Sequence, residues 1–224
     1  MPDITKIHEA LCSLYPAALC SLDYGGDPWR LLIAARLSAQ CTDERVNQVS
    51  VPLFAAYPDV HAMAEAEIPA LEAIIRPCGL YHTKAESCVA LSKILVEQYG
   101  GRVPDTLDAL LALPGVGRKI ANLVLGDVYG KPGIVADTHC IRLNGRFGFY
   151  DEGLRDPLKV ERILADIVPP AEQADYCHRM VLFGREFCTA RSPRCAECPL
   201  GPALCDGGRR RLGKERLPAE GDVP

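Results

Sequence analysis

The chain has 224 residues, 48% apolar and 24% charged, with a formal net charge of −4. That length can bury one large core or two small ones, no apolar run approaches the ~18 residues a membrane span needs, and residues 1–16 lack the basic start and apolar stretch of a secretory signal. A globular protein of the cytosol is expected, and the acidic total argues weakly against nucleic acid as a partner.

Strand signals are poor and helical periodicity is common. Asp27 and Pro28 suit the cap and first position of a helix running to Leu37. A second helix over 67–75 starts similarly. Residues 81–101 read as a long amphipathic helix closed by Gly100 and Gly101. Pro104 and Asp105 open a short helix that Pro114 ends. Beyond the turn, Ile120, Leu123, Val124 and Val128 fall on one apolar face. Gly130-Lys131-Pro132-Gly133 marks a domain boundary. Later helices are expected at 137–147, 156–168 and 172–187, and the short loops suit a packed all-α protein. From Asp206 the chain is polar and Gly/Pro-rich, which predicts a frayed or disordered end. Charge is uneven. Residues 1–110 hold 8 basic and 14 acidic side chains, residues 111–224 hold 17 and 15, and in 177–217 the count is nine to four. An acidic chain can therefore still present a basic face.

There are 11 cysteines. The odd count speaks against a disulfide framework. Seven are scattered in apolar stretches and read mostly as buried small hydrophobes. The other four, Cys188, Cys195, Cys198 and Cys205, follow C-x6-C-x2-C-x6-C, a density that suits a metal site. Zinc is the rival to iron–sulfur, although zinc sites favour two short pairs and only one is present. Arg191 and Arg194 sit on the loop between the first two ligands. They are either phosphate contacts or solvated charge.

The stretch "LPGVGRK", 113–119, is either a plain connector or a phosphate grip. Gly115 and Gly117 let an anion approach the backbone, and the amides at the next helix start favour it. Lys119 lies in that first turn, where the helix dipole disfavours an ammonium and lowers its pKa. A neutral amine there can attack carbon and form a Schiff base. Asp137, in "ADTH", is a natural helix cap. It could also stabilise positive charge on a sugar carbon and move protons.

These residues resemble the endonuclease III family of bacterial DNA glycosylase/AP lyases over roughly residues 4–210. The likeness rests on "LSAQCTD" (37–43), "GLYHTKA" (79–85), "LPGVGRKIAN" (113–122), "ADTH" (136–139) and the four cysteines. It implies two helical domains with DNA in a cleft between them. Residues 22–131 would form a six-helix domain with a helix-hairpin-helix. Residues 1–21 with 132–207 would form the iron–sulfur domain, and 208–224 a loose tail. It implies Lys119 as nucleophile, Asp137 as second catalytic group, and a [4Fe–4S] cluster on the four cysteines. It implies Gln40 and Leu80 as residues that wedge into the duplex. Further DNA contacts fall to Gly115, Val116, Gly117, Arg118, His139, Arg191 and Arg194. The expected partner is double-stranded DNA with damaged bases or abasic sites, met by a cytoplasmic, nucleoid-associated monomer. The expected activity is removal of oxidised pyrimidines followed by β-elimination. A monofunctional mismatch glycosylase lacks the lysine, and a non-enzymatic hairpin module needs neither Lys119 nor Asp137. Two departures stand out: the last cysteine gap is six residues where the family has five, and Ala136 replaces the usual valine.

Overall fold

The computed structural model describes residues 2–213. Among them are twelve α-helices, two short 3-10 turns and no strand. The chain divides into two compact units, Cys20–Gly133 and the pairing of Met1–Leu19 with the segment from Ile134 on.

The unit Cys20–Gly133 holds α2 (Pro28–Leu37), α3 (Asp43–Ala56), α4 (Val60–Ala64), α5 (Ile68–Ile75), α6 (Tyr81–Tyr99), α7 (Leu107–Leu111) and α8 (Arg118–Tyr129). The five-residue α4 and α7 take the count past the expected six. Asp27 caps α2 by accepting from the Trp29 and Arg30 amides, with Pro28 at the first position, as capping chemistry predicts. Leu31, Leu32, Ile33 and Leu37 have no exposed surface, so α2 runs through the core. It packs on α3, α6 and α8, while α4 and α5 pack on α6. Helix α3 escaped the sequence reading. Its buried Val46, Val49 and Leu53 are regularly spaced, but Pro52 sits inside the helix and reads as a breaker. On α8 the fully covered positions are Ala121, Asn122, Val124 and Leu125. Ile120, Leu123 and Val128 are only partly covered. The buried face is thus rotated from the expected one, because Asn122 and small Ala121 lie inward.

The other unit holds α1 (Ile4–Leu14), α9 (Thr138–Phe147), α10 (Pro157–Ile167), α11 (Gln173–Glu186) and α12 (Asp206–Arg211). Helices α1 and α9 both pack on α11, and α12 packs on α9. Helix α1 was not foreseen; it presents only Ile7 and Leu11 to the core. Tyr176, fully buried, donates its hydroxyl to Asn144 Oδ1, whose amide donates to Cys140 O at 2.9 Å. That chain satisfies polar groups water cannot reach.

The expected loose end is wrong for its first residues. Asp206–Arg211 forms a helix because its polar groups are engaged. The Gly208 amide donates to Cys205 Sγ at 3.2 Å, and Arg210 and Arg211 reach Glu152 at 2.7 and 2.8 Å. A Cβ on Gly207 would stand 2.9 Å from Arg146 O, so glycine permits the close approach to α9. Residues 214–224 of that expectation lie outside the described residues.

Burial works against charge on Glu152, but the hydrogen bonds from Arg211 and Arg210 outweigh it and hold the carboxyl below its ordinary range. A lowered carboxyl stabilises the fold above its unfolded pKa and loses that contribution as pH falls through the folded value. Glu152→Gln should therefore lower stability by about 1 kcal/mol near neutral pH and expose 206–211 to proteolysis. The difference from wild type should shrink under acid, and urea midpoints measured across pH check it.

Candidate nucleic-acid interface and metal centre

Leu113 to Gly117 form a type II turn between α7 and α8. Pro114 takes the second position, Gly115 the third at φ +76°, and Val116 N donates to Leu113 O at 3.1 Å. Leu113 and Val116 are buried and pin the turn to the core. Val116 was expected among the DNA contacts. Its amide is used by the turn and its side chain is covered, so it serves as an anchor. Gly117 is the cap residue of α8 and supplies no side-chain hydrogen bond. The amides of the first turn are thus uncapped by their own chain. Lys119 is exposed there, next to half-buried Arg118.

The two glycines differ in what they permit. A Cβ on Gly115 would stand 2.5 Å from Arg36 Nε and 3.0 Å from Ser87 Cβ. Arg36 cannot easily yield, since its Nε donates to Ser87 Oγ at 2.7 Å. A Cβ on Gly117 meets nothing within 4 Å. Gly115 is therefore required by the fold. Gly117 keeps the outer surface of the turn open.

Gln40 and Leu80 are the non-glycine residues with left-handed backbone among those described, at φ 55° and 48°. Both are exposed, and Leu80 shows 55% of its surface. Such backbone costs about 1–2 kcal/mol for a residue with a Cβ. Sequence analysis missed the group beneath them. Lys84 has no exposed surface and donates to Leu37 O at 2.8 Å and Cys78 O at 2.9 Å. Burial holds its pKa below the usual lysine range. Its signal was present: positions 84, 88, 91 and 95 lie on one helical face, and the last three are apolar.

In the other unit, Asp137 caps α9, accepting the Cys140 amide on Oδ1 at 2.7 Å. The cap engages one of its two oxygens. His139 packs at the α9–α11 contact, its Nδ1 3.1 Å from Arg142 Nη2. Arg191 is exposed. Arg194 is turned back: Nη2 donates to Glu186 O at 2.6 Å, and the guanidinium lies over the Phe187 ring. It closes the end of α11 and holds the loop.

Cys188, Cys195, Cys198 and Cys205 border one cavity with Phe183, Phe187, Arg146 and Arg211. Arg146 is 7% exposed. It donates to Cys188 Sγ at 3.3 Å, Thr189 O at 2.8 Å and Ala190 O at 2.9 Å. The longer last gap still delivers its ligand. Gly201 turns at φ +63°, and Cys205 ends the loop as the cap of α12. Burial pushes the Cys205 thiol up to about 11 and raises Cys198, so iron must displace protons there. Among the described residues no group of three His, Cys, Asp or Glu is set to hold a single metal ion. Four thiols around a cavity walled by phenylalanines and arginines fit a larger, anionic iron–sulfur cluster.

Residues 33–170 match the family described as HhH-GPD superfamily base excision DNA repair protein. Residues 188–201 match the iron-sulfur binding domain of endonuclease III. Endonuclease III of Synechocystis sp. (strain ATCC 27184 / PCC 6803 / Kazusa) is 42% identical over 197 residues, covering 88% of this chain and 89% of that protein. A non-covalent endonuclease III–DNA complex superposes with a TM-score of 0.87 at 41% identity, over 96% of this chain and 100% of the other. A trapped covalent endonuclease III–DNA intermediate, an estranged-adenine complex, gives 0.87 and 41% over 95% and 100%.

Two outcomes are expected. Gly115→Ala should cost about 1–3 kcal/mol of stability, whereas Gly117→Ala should stay within about 0.5 kcal/mol of wild type; thermal unfolding of both variants measures the difference. Cys205→Ser should strip the brown iron–sulfur absorbance from the purified protein and lower its iron content, despite the longer gap before that ligand.

Proposed function

The chain belongs to the endonuclease III family, within the HhH-GPD superfamily of base excision DNA repair proteins, and we propose that it removes oxidised pyrimidines from duplex DNA and cuts the resulting abasic strand through Lys119. It is a DNA glycosylase/lyase with an iron–sulfur cluster. The exposed Lys119 in the uncapped first turn of α8 carries the proposal.

The Gly117 end of α8 takes a backbone phosphate on its amides, favoured by the dipole. Phosphate contacts of this kind position the protein and carry no sequence information. Arg118, Arg191 and His139 add polar contacts. Gln40 and Leu80 fill the gap left when the damaged nucleotide is turned out of the stack.

The amine of Lys119 attacks C1′ of the flipped sugar. A C–N bond forms, the glycosidic bond breaks, and the base leaves with the electron pair and takes up a proton. Asp137, with one oxygen held by the Cys140 amide, stabilises positive charge as it develops at C1′. Loss of the lysine nitrogen's proton and opening of the sugar leave a Schiff base. Removal of a C2′ proton then expels the 3′ phosphate, which cuts the strand on that side. Water releases the amine. A [4Fe–4S] cluster on Cys188, Cys195, Cys198 and Cys205 would supply no step at the sugar; it would hold the 188–205 loop in place for DNA.

Borohydride should trap wild-type protein covalently on abasic duplex. Lys119→Ala should give no trapped product, and trapping equal to wild type would sink the assignment. Asp137→Asn should lower turnover by roughly a hundredfold or more while changing DNA affinity little. Equal losses in both would leave Asp137 a helix cap only.

A further inference from the structure

The buried Nζ of Lys84 joins two places far apart in the chain. Leu37 is the last residue of α2, and Cys78 ends the 3-10 turn before α6. Each carbonyl accepts from the same nitrogen. Gln40 follows the first by three residues and Leu80 follows the second by two. The two strained tips therefore hang from one ammonium. A second tie lies beside it, where the Cys78 thiol is hydrogen-bonded to Cys41, the residue after Gln40. A cation in an apolar register is unfavourable unless it is fully partnered. An ordinary core would place leucine at 84, which would leave the Leu37 and Cys78 carbonyls without that donor.

The tie extends toward the hairpin. Arg36, one residue before Leu37, donates from Nη2 to Thr83 O at 3.4 Å, one residue before Lys84. It also lies beneath Gly115. Arg36 and Lys84 together lock α2 to α6 at the level where the hairpin and both tips emerge.

We propose that Lys84 is a positioning residue for duplex opening: by clamping the Leu37 and Cys78 carbonyls it fixes the spacing of Gln40 and Leu80, so that both tips enter the helix together. This rests on the reading that Gln40 and Leu80 insert into the duplex. Without the clamp each turn can relax toward ordinary backbone, and the two tips lose their common register. The loss falls on substrates whose stack must be opened. A single-stranded abasic site needs no opening.

Lys84→Met keeps the stem and removes the donors. Hydrogen exchange of amides 38–41 and 79–80 should quicken by roughly tenfold or more, with 113–117 unchanged. Unchanged exchange at both turns overturns the proposal. On a paired duplex lesion kcat/KM should fall by about tenfold or more, while incision of a single-stranded abasic oligonucleotide stays within about twofold of wild type. Equal falls on both substrates overturn it, because a general structural role would produce them. Adding Gln40→Ala with Leu80→Ala should deepen the duplex loss little, since the residues act as one unit; fully additive losses count against it. If Gln40→Ala with Leu80→Ala alone leaves duplex cleavage intact, the insertion reading fails, and exchange at the two turns still decides whether Lys84 sets them. Should Lys84→Met not fold, Lys84→Gln, which keeps two N–H donors, carries the same measurements in the same direction.

Discussion

A helix that ends inside a protein leaves carbonyls that water cannot reach. Both units meet this constraint with a buried cation. In one, Lys84 takes the carbonyls that end α2 and the 3-10 turn before α6. In the other, Arg146 takes those of Thr189 and Ala190, just past the end of α11. Cations suit helix C-termini, where the dipole is negative. Neither residue is expected to touch DNA or iron chemistry directly. Each holds the root of a segment that is: the turns bearing Gln40 and Leu80, and the loop that starts at Cys188. The placement of the functional loops thus follows from how helix ends are satisfied.

Caps at the other ends of helices do similar double service. Asp137 satisfies the Cys140 amide of α9, and its carboxylate belongs to the proposed chemistry. Cys205 satisfies the Gly208 amide of α12, and its sulfur borders the cluster cavity. Tying a functional group to a helix start limits its freedom, so little ordering remains when substrate or iron binds. Gly117 is the complementary case. It caps α8 without a side chain, which leaves backbone amides for an outside anion. The neighbouring Gly115 answers a different demand, since Arg36 occupies the space a side chain would need.

The family relationship gives these arrangements a common purpose. Base excision repair requires a protein that slides on phosphates, opens a stack at one nucleotide and presents a nucleophile there. The hairpin, the two strained tips and Lys119 all lie in Cys20–Gly133. Asp137 and the four cysteines lie in the other unit. Each unit carries chemistry the other lacks.

Local chemistry made much of this legible in the sequence. Asp27-Pro28 and Asp137 announce helix starts, Pro114-Gly115 a type II turn, and four close cysteines a metal site, because each depends on neighbours a few residues away. The helices the sequence hid have local reasons too: Pro52 interrupts α3, α1 shows only two buried positions, and α12 is polar and glycine-rich. What the sequence by itself determined was the all-α class, the hairpin, the candidate nucleophile and the iron ligands. What only the tertiary structure decided was the supporting frame. Lys84 finds Leu37 47 positions away, and Arg146 finds Thr189 43 positions away. Glu152 reaches Arg211 across 59. A charged side chain in an apolar register reads as an anomaly until the carbonyls or carboxylate that justify its burial are brought beside it, and only the folded chain brings them.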